Sequence, residues 1–319
     1  EIAEGIGEIV QAHGWDSYIA YGRYANPSKS HLIKVGGFYD QYLHGARSLL
    51  LDRHGLGSKG ATWRLIQNID YVQPDIIQLH NIHGYYLNYP ELFDYLSNLD
   101  VPVIWTLHDA WPFTGHCAFF DSVHCDRWKS GCYDCPQKTS YPSSFLLDRS
   151  KRNYEQKRRC ISSLRNLTLV PVSDWLNGLL GESFLKDIPR VCIHNGVDMD
   201  LFQPNDMQAS LRPGKKIVLG VNSVWETRKG LSDFIALRSM LDDQYVIVLV
   251  GVNRKQKKHL PEGVIGIERT DNIHDLAAYY SRADVFVNPT YEDNFPTTNL
   301  EALASLLQGQ YFRIVGSIL

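Results

Sequence analysis

Lys216-Ile217-Val218-Leu219-Gly220-Val221 is a short apolar run, Gly230 to Leu241 has helical periodicity, and Tyr245-Val246-Ile247-Val248-Leu249-Val250-Gly251 is a second apolar run. Two such runs separated by one helix predict a βαβ unit, because parallel strands buried on both faces read as continuous Val/Ile/Leu stretches. The same alternation extends in both directions. Strands are expected at Ser17–Tyr21, Asp75–Leu79, Pro102–Leu107, Leu167–Val172, Arg190–His194, Gly263–Gly266 and Asp284–Asn288. Helices are expected at Ala61–Val72, Pro90–Leu99, Arg149–Leu164, Asp174–Ser183, Ile273–Ala283 and Thr297–Leu307. The fold class is therefore α/β, with doubly wound parallel sheets.

The stretch from Asn195-Gly196-Val197-Asp198 through Pro204 to Pro213-Gly214 is polar and turn-rich, and a new strand-helix series restarts after it. Two domains follow, 1–195 and 196–319, the first carrying a Cys-rich loop at 115–137. Ligands of such sheets bind outside the carboxyl ends of the strands, so two such domains facing each other are expected to enclose a cleft. The ends are unusual. The sequence begins inside an amphipathic helix pattern, Glu1 to Gly14, so the first strand of the first domain is expected to be missing. After Ala304 the pattern stops at Ser305-Leu306-Leu307-Gln308-Gly309, and the second domain is expected to be incomplete.

A chain of 319 residues, 44% hydrophobic and with a net charge of -3, has enough apolar residues for two cores and no basic stripe for nucleic acid. No apolar run approaches the ~20 residues of a membrane span. The acidic first helix is unlike a secretory signal, so a cytoplasmic location is expected. There are no internal repeats.

Three stretches carry the chemistry. In Asn288-Pro289-Thr290-Tyr291-Glu292-Asp293-Asn294-Phe295-Pro296-Thr297-Thr298-Asn299-Leu300-Glu301-Ala302 a strand end runs through a polar loop into a helix. Backbone N–H groups around Pro296 to Thr298, with the helix dipole behind them, favour a diphosphate, and a carboxylate one turn in suits ribose hydroxyls. An ordinary capped helix has the same composition. In Asn222-Ser223-Val224-Trp225-Glu226-Thr227-Arg228-Lys229-Gly230, a strand end feeds a helix whose first turn is expected to hold Lys229. A cation there is unfavourable unless an anion compensates. In Thr106-Leu107-His108-Asp109-Ala110-Trp111-Pro112-Phe113-Thr114-Gly115-His116, His108 and Asp109 end a strand, and a second loop, Leu79-His80-Asn81-Ile82-His83-Gly84, ends another.

These motifs, in this order, resemble the retaining GT-B glycosyltransferases of family 4. The Leu-His-Asp-Ala-Trp-Pro-Phe-Thr-Gly-His run resembles a subgroup that acts in bacterial surface polysaccharide assembly. The resemblance covers about Gly14 to Ala304 and implies two facing Rossmann-like domains, the second binding a nucleoside diphosphate sugar. Family 4 has two acidic residues with seven between them, here Asp293 and Glu301, the second on the ribose and the first beside the transferred sugar. Asp stands for Glu at the first position, and Glu292 is an alternative. By the same resemblance Lys229, with Arg228, Ser223, Asn294, Phe295, Pro296 and Thr297, serves the donor. His108 contacts the transferred sugar or shapes the acceptor side, which includes His80 and Asp109. Val170 to Trp175 and Ile193 to Asp198 resemble the segments leading out of the family's first domain.

The implied reaction is retaining transfer of a hexose to a glycan or lipid-linked glycan, with no catalytic metal and with peripheral association at the inner face of a membrane also expected. Two rivals are an inactive remnant with weak or no nucleotide binding and a nucleotide-sugar epimerase of the same architecture.

Cys117, Cys125, Cys132 and Cys135, the last two in a Cys-x-x-Cys, have the ligand count of a structural tetrahedral zinc site. Paired disulfides and free buried thiols are the other two readings.

Overall fold

The computed structural model describes residues 2–204 and 214–306. The chain divides into two compact units, Glu1–His194 and Asn195–Leu319. Part of the expected linker, through Pro213, and most of the stretch where the sequence pattern breaks off lie outside the described residues.

Unit 1 opens with α1 (Ile2–Ala12), which packs on β1 (Tyr18–Tyr21); β1 pairs in parallel with β2 (His31–Lys34). After α2 (Phe38–Leu51) and α3 (Lys59–Val72), a second parallel sheet is built from β3 (Ile77–Leu79), β4 (Val103–Leu107) and β5 (Leu167–Pro171), in the order β3-β4-β5. Helices α4 (Tyr89–Leu96), α5 (Ser150–Ile161) and α6 (Asp174–Glu182) complete the unit. Local chemistry sets their ends. Asn88 accepts the amide of Glu91 at the start of α4, with Pro90 in the first turn, and Ser173 accepts that of Leu176 at the start of α6. Trp105, Trp111, Trp128, Phe93 and Phe113, all buried, dominate the core.

Unit 2 has one parallel sheet in the order β8-β7-β6-β9, made of β6 (Lys216–Val221), β7 (Tyr245–Val250), β8 (Val264–Ile267) and β9 (Val285–Phe286). Beyond their first residues β6 and β7 are buried throughout, as continuous β-branched runs require when helices cover both faces. The helices are α7 (Leu231–Met240), α8 (Arg254–Lys258), α9 (Ile273–Arg282) and α10 (Thr297–Leu306). Asn272 caps α9 through the amide of Asp275, and α9 packs on α10. Gly251 has φ +92°, and a Cβ there would lie 1.6 Å from the Asn222 carbonyl oxygen. Only glycine lets the ends of β6 and β7 approach so closely.

Four expectations change. Residues Arg190–His194 lie beside β5, with Val191 N–H on the Leu169 carbonyl at 3.0 Å and Ile193 N–H on that of Pro171 at 3.1 Å, but form a single bridge and no strand. Val191 and Ile193 are more than half exposed, so this edge has nothing to bury its outer face. Strand β2 and helices α2 and α8 were not expected: β2 is short and mostly exposed, α2 exposes Phe38, Tyr39, Tyr42 and Leu43, which blurs its apolar stripe, and α8 is five residues long with no apolar residue.

Two glycines test this description. Gly251→Ala should destabilise unit 2 by more than about 1 kcal/mol, because the strained φ and the carbonyl clash act together. Gly5→Ala, inside α1 with nothing within 4 Å of its Cβ position, should be neutral or stabilising by up to about 1 kcal/mol. Urea denaturation of both variants measures the difference, and equal midpoints would contradict the close approach of the β6 and β7 ends.

Candidate functional site

In unit 2, the carboxyl ends of the adjacent strands β6 and β9 bring two loops together. Lys229 lies in a 3-10 turn, Thr227–Lys229, and α7 begins only after Gly230. This corrects the expectation that Lys229 sits in the first helical turn. Gly230 takes φ +71°, and a Cβ there would meet the Pro289 carbonyl oxygen at 2.6 Å, so the two loops touch backbone to backbone. The Tyr291 amide donates to the Arg228 carbonyl at 2.8 Å, and Arg228 Nη1 donates to the Glu292 carbonyl at 3.1 Å.

That contact sets Lys229 Nζ on Asp293 Oδ2, with side chains only 11% and 19% exposed. Of the two acidic residues in the loop, Asp293 is thus the one that meets the lysine. Glu292 is buried. Arg228 Nε is 3.3 Å from Glu226 Oε2. Glu301, in α10, is buried and accepts the Tyr280 hydroxyl at 2.8 Å. The loop is held from below by Asn288 Nδ2 on Asn299 Oδ1 at 2.9 Å and by Asn195 Nδ2 on the Phe295 carbonyl at 3.0 Å. Asn294, Phe295, Pro296 and Thr297 therefore lead into α10 next to the ion pair, while Ser223 is exposed beyond the end of β6. A cation already in place beside a helix N-terminus is suited to a diphosphate.

In unit 1, the ends of β3 and β4 carry four polar residues. His80 Nδ1 and His108 Nε2 are 3.1 Å apart with rings stacked at 21°. One ring must donate and the other accept, so the pair is neutral or singly charged. Burial, and then His108, pushes His80 down to about 4; burial likewise lowers His108 against the opposing charge of Asp109. His83 Nε2 is 3.1 Å from Asp109 Oδ2, and the Trp111 amide donates to Asp109 Oδ1 at 2.9 Å. Burial would raise the Asp109 carboxyl, but His83 and the Trp111 amide together hold it below the usual carboxylate range. The His83 ring also stacks on Trp111, with centroids 5.0 Å apart.

Residues 7–201 match the family described as Glycosyltransferase Family 4, and residues 215–307 match Glycosyl transferases group 1. The chain belongs to glycosyltransferase family 4. A relative from Escherichia coli K12, the "Putative colanic acid biosynthesis glycosyl transferase WcaC", is 34% identical over 139 residues, which is 40% of this chain and 32% of that one. The match thus spans about a third of the relative. Among solved structures, sucrose-phosphate synthase from Thermosynechococcus elongatus superposes with a TM-score of 0.65 at 17% identity, covering 97% of this chain and 73% of that one. The structure described as "Trehalose-6-phosphate from E. coli bound with UDP-2-fluoro glucose" gives 0.60 at 10% identity, covering 95% and 78%. Likeness at this identity carries the fold, GT-B.

Sequence reading named His80, His108 and Asp109 but gave no role to His83, the partner of Asp109. The repeated strand-loop-His pattern of Leu79 to His83 was the available signal. It also missed a buried network behind these loops. His116 Nδ1 meets Asp52 Oδ1 at 2.6 Å, Trp111 Nε1 donates to His54 at 2.8 Å, and Lys157 Nζ donates to the Trp111 carbonyl at 2.6 Å and the Thr114 carbonyl at 3.0 Å. These residues come from separate elements, so no spacing announces them. Cys117, Cys125, Cys132 and Cys135 line one cavity of about 10 Å³, and all six cysteines of the chain are free thiols. Among the described residues, two groups of three have ligand atoms within 4.8 Å of one another, Asp52/His54/His116 and Asp174/Cys192/His194. No three cysteine sulfurs approach that closely.

Burial first, with Arg47 second, pushes His44 down to about 4, and burial first, with Lys157 second, lowers His54 as well. With His80 and His108, four imidazoles are neutral when folded and free to protonate when unfolded. The unfolded chain therefore binds more protons below about pH 6.5, and stability present above that pH is lost as it falls toward about 4. The urea midpoint should drop between pH 7 and pH 5, and His80→Asn should shallow the drop. A midpoint independent of pH over this range would contradict the assigned protonation states.

Proposed function

We propose that this chain transfers a hexose from a nucleoside diphosphate sugar to a hydroxyl of a glycan or lipid-linked glycan in polysaccharide biosynthesis, with retention at the anomeric carbon. The observation that supports this best is the Lys229–Asp293 pair, set by backbone contact at the ends of β6 and β9 and placed where α10 begins. The UDP-2-fluoro glucose bound by the Escherichia coli neighbour and the colanic acid role named for the WcaC relative favour the same donor and product classes.

In this reading the bond from the sugar C1 to the diphosphate oxygen breaks, one from C1 to the acceptor oxygen forms, and the acceptor proton ends on the released diphosphate or on solvent. Negative charge grows on the diphosphate. Lys229, Arg228 and the amides at Thr297 and Thr298 stabilise it, and being fixed beforehand they need little reorganisation. Asp293, displaced from Lys229 by the phosphate, is freed to face the electron-poor sugar carbon. Glu301, positioned by the Tyr280 hydroxyl, accepts the ribose hydroxyls. Ser223, Asn294, Phe295 and Pro296 complete the donor side.

His108, His80 and Asp109 are assigned to the acceptor and the transferred sugar: two neutral imidazoles and a carboxylate suit recognition of hydroxyls. The cations of the chain itself carry the leaving-group charge, so no catalytic metal is invoked. Among the described residues no helix is long and apolar enough to cross a membrane. We place the reaction in the cytoplasm, with a lipid-linked acceptor met at the membrane's inner face.

Incubation with radiolabelled UDP-, GDP- and ADP-sugars tests the activity: transfer or donor hydrolysis is expected with one of them. Lys229→Ala and Glu301→Ala, each checked for folding, should weaken nucleoside diphosphate binding about tenfold or more, ~1.4 kcal/mol. Unchanged affinity in both variants would remove the donor-site assignment.

A further inference from the structure

The excursion between β4 and α5 is the least regular part of unit 1. Between Thr114 and Asp148 its only helical elements are two 3-10 turns, Asp121–Val123 and Arg127–Lys129. A loop this long without regular structure needs something to order it. Trp128, packed against Phe113 and Phe120 with centroids 5.2 and 5.1 Å apart, supplies part of that order. The four cysteines share the wall of a cavity beside Trp128 with Thr114, Phe120, Arg127, Tyr133 and Pro136.

Four observations converge on this cavity. Its volume, about 10 Å³, is that of one water-sized or ion-sized body, and sulfur-bearing residues from four points of the loop surround it. The Gly115 amide donates to Cys132 Sγ at 3.1 Å, an orientation that stabilises a thiolate more than a thiol. Gly115 is also locked in place, because a Cβ there would lie 2.1 Å from the Ser150 carbonyl oxygen and 2.6 Å from Cys132 Cβ. Finally, Lys157 is 1% exposed and makes no ion pair among the described residues; its hydrogen-bond partners are two carbonyl oxygens. The Asp52 and Asp109 carboxylates act on it only from beyond ion-pair distance, and a buried ammonium with no carboxylate in contact is costly.

We propose that Cys117, Cys125, Cys132 and Cys135 hold a structural zinc ion as four thiolates. Zn²⁺ enters, four thiols each release a proton to solvent, four Zn–S bonds form, and no electron is transferred. The centre carries two net negative charges next to Lys157, which removes that residue's electrostatic debt. The same charge argument disfavours the Asp52/His54/His116 group as the ion's place, since a cation there would face the Lys157 ammonium. The free thiols surround the cavity without closing on it; the ion draws the sulfurs to about 2.3 Å from itself.

The ion acts as a staple with no open coordination position. Its pull reaches the candidate acceptor residues by short links. The Cys135 amide donates at 2.6 Å to Asp148, which also accepts the Ser150 amide at 2.8 Å where α5 begins. Lys157, further along α5, holds the carbonyl of Trp111, whose amide in turn fixes Asp109.

Metal analysis of the full chain, purified under reducing conditions and dialysed against zinc, should find about one zinc per chain. Cobalt(II) substitution should give the intense sulfur-to-metal charge-transfer bands of a tetrahedral thiolate site. Cys132→Ser with Cys135→Ser should lower bound zinc at least about tenfold. Cys160→Ser with Cys192→Ser, outside the cluster, should leave it unchanged. Should the first double variant fail to fold, the zinc content and cobalt spectrum of the unaltered chain decide alone. Absence of zinc after dialysis with six thiols titrating in the native protein, or recovery of two disulfides, would overturn the proposal.

Discussion

The pairing of Lys229 with Asp293 depends on a backbone event: the turn after β6 and the loop after β9 press together at Gly230 and the Pro289 carbonyl. Parallel strands all end on the same side of a sheet, so loops that follow neighbouring strands are forced into proximity whatever their separation in sequence. Here β6 and β9 are neighbours in the order β8-β7-β6-β9, and the lysine and the carboxylate inherit that adjacency. A largely desolvated cation is expensive to maintain, and the carboxylate offsets the cost until a phosphate takes its place. The α10 N-terminus adds amide donors on the same side.

Unit 1 repeats the device with different chemistry. The ends of β3 and β4 place His80 against His108 and His83 against Asp109. Behind them the charge pattern is unusual for a protein core: Asp52 pairs with His116, and Lys157 is buried on carbonyl oxygens. The thiol cavity lies next to both, since Cys117 follows His116 directly and the Cys132 sulfur approaches Lys157 closely enough to sense its charge. A dianionic centre in that cavity makes the whole assembly electrically consistent, and the loop's lack of regular structure then has a physical explanation.

Much of this was legible in the sequence. Continuous β-branched runs fixed β6 and β7, and the observed bounds Lys216–Val221 and Tyr245–Val250 agree with the reading almost to the residue. The family resemblance named Lys229 and Asp293, and the two side chains meet at the ends of β6 and β9. Other features were hidden for identifiable reasons. Helix α2 turns aromatic residues outward, so its periodicity misleads, and β2 is too short and too exposed to stand out. The choice between Glu292 and Asp293 depended on which side chain the loop turns toward Lys229, which composition does not encode. His83, Asp52 and Lys157 meet their partners across long sequence separations, where only the fold supplies the contact.

The central claim is that Lys229 and Asp293 act as one unit in holding a nucleoside diphosphate. A double-mutant cycle on nucleotide affinity, using Lys229→Met, Asp293→Asn and the two combined, tests it directly. Coupling of about 0.5–3 kcal/mol is expected, because the carboxylate competes with the phosphate for the same ammonium. Effects that add to within about 0.5 kcal/mol would mean the two side chains act independently, contrary to this account.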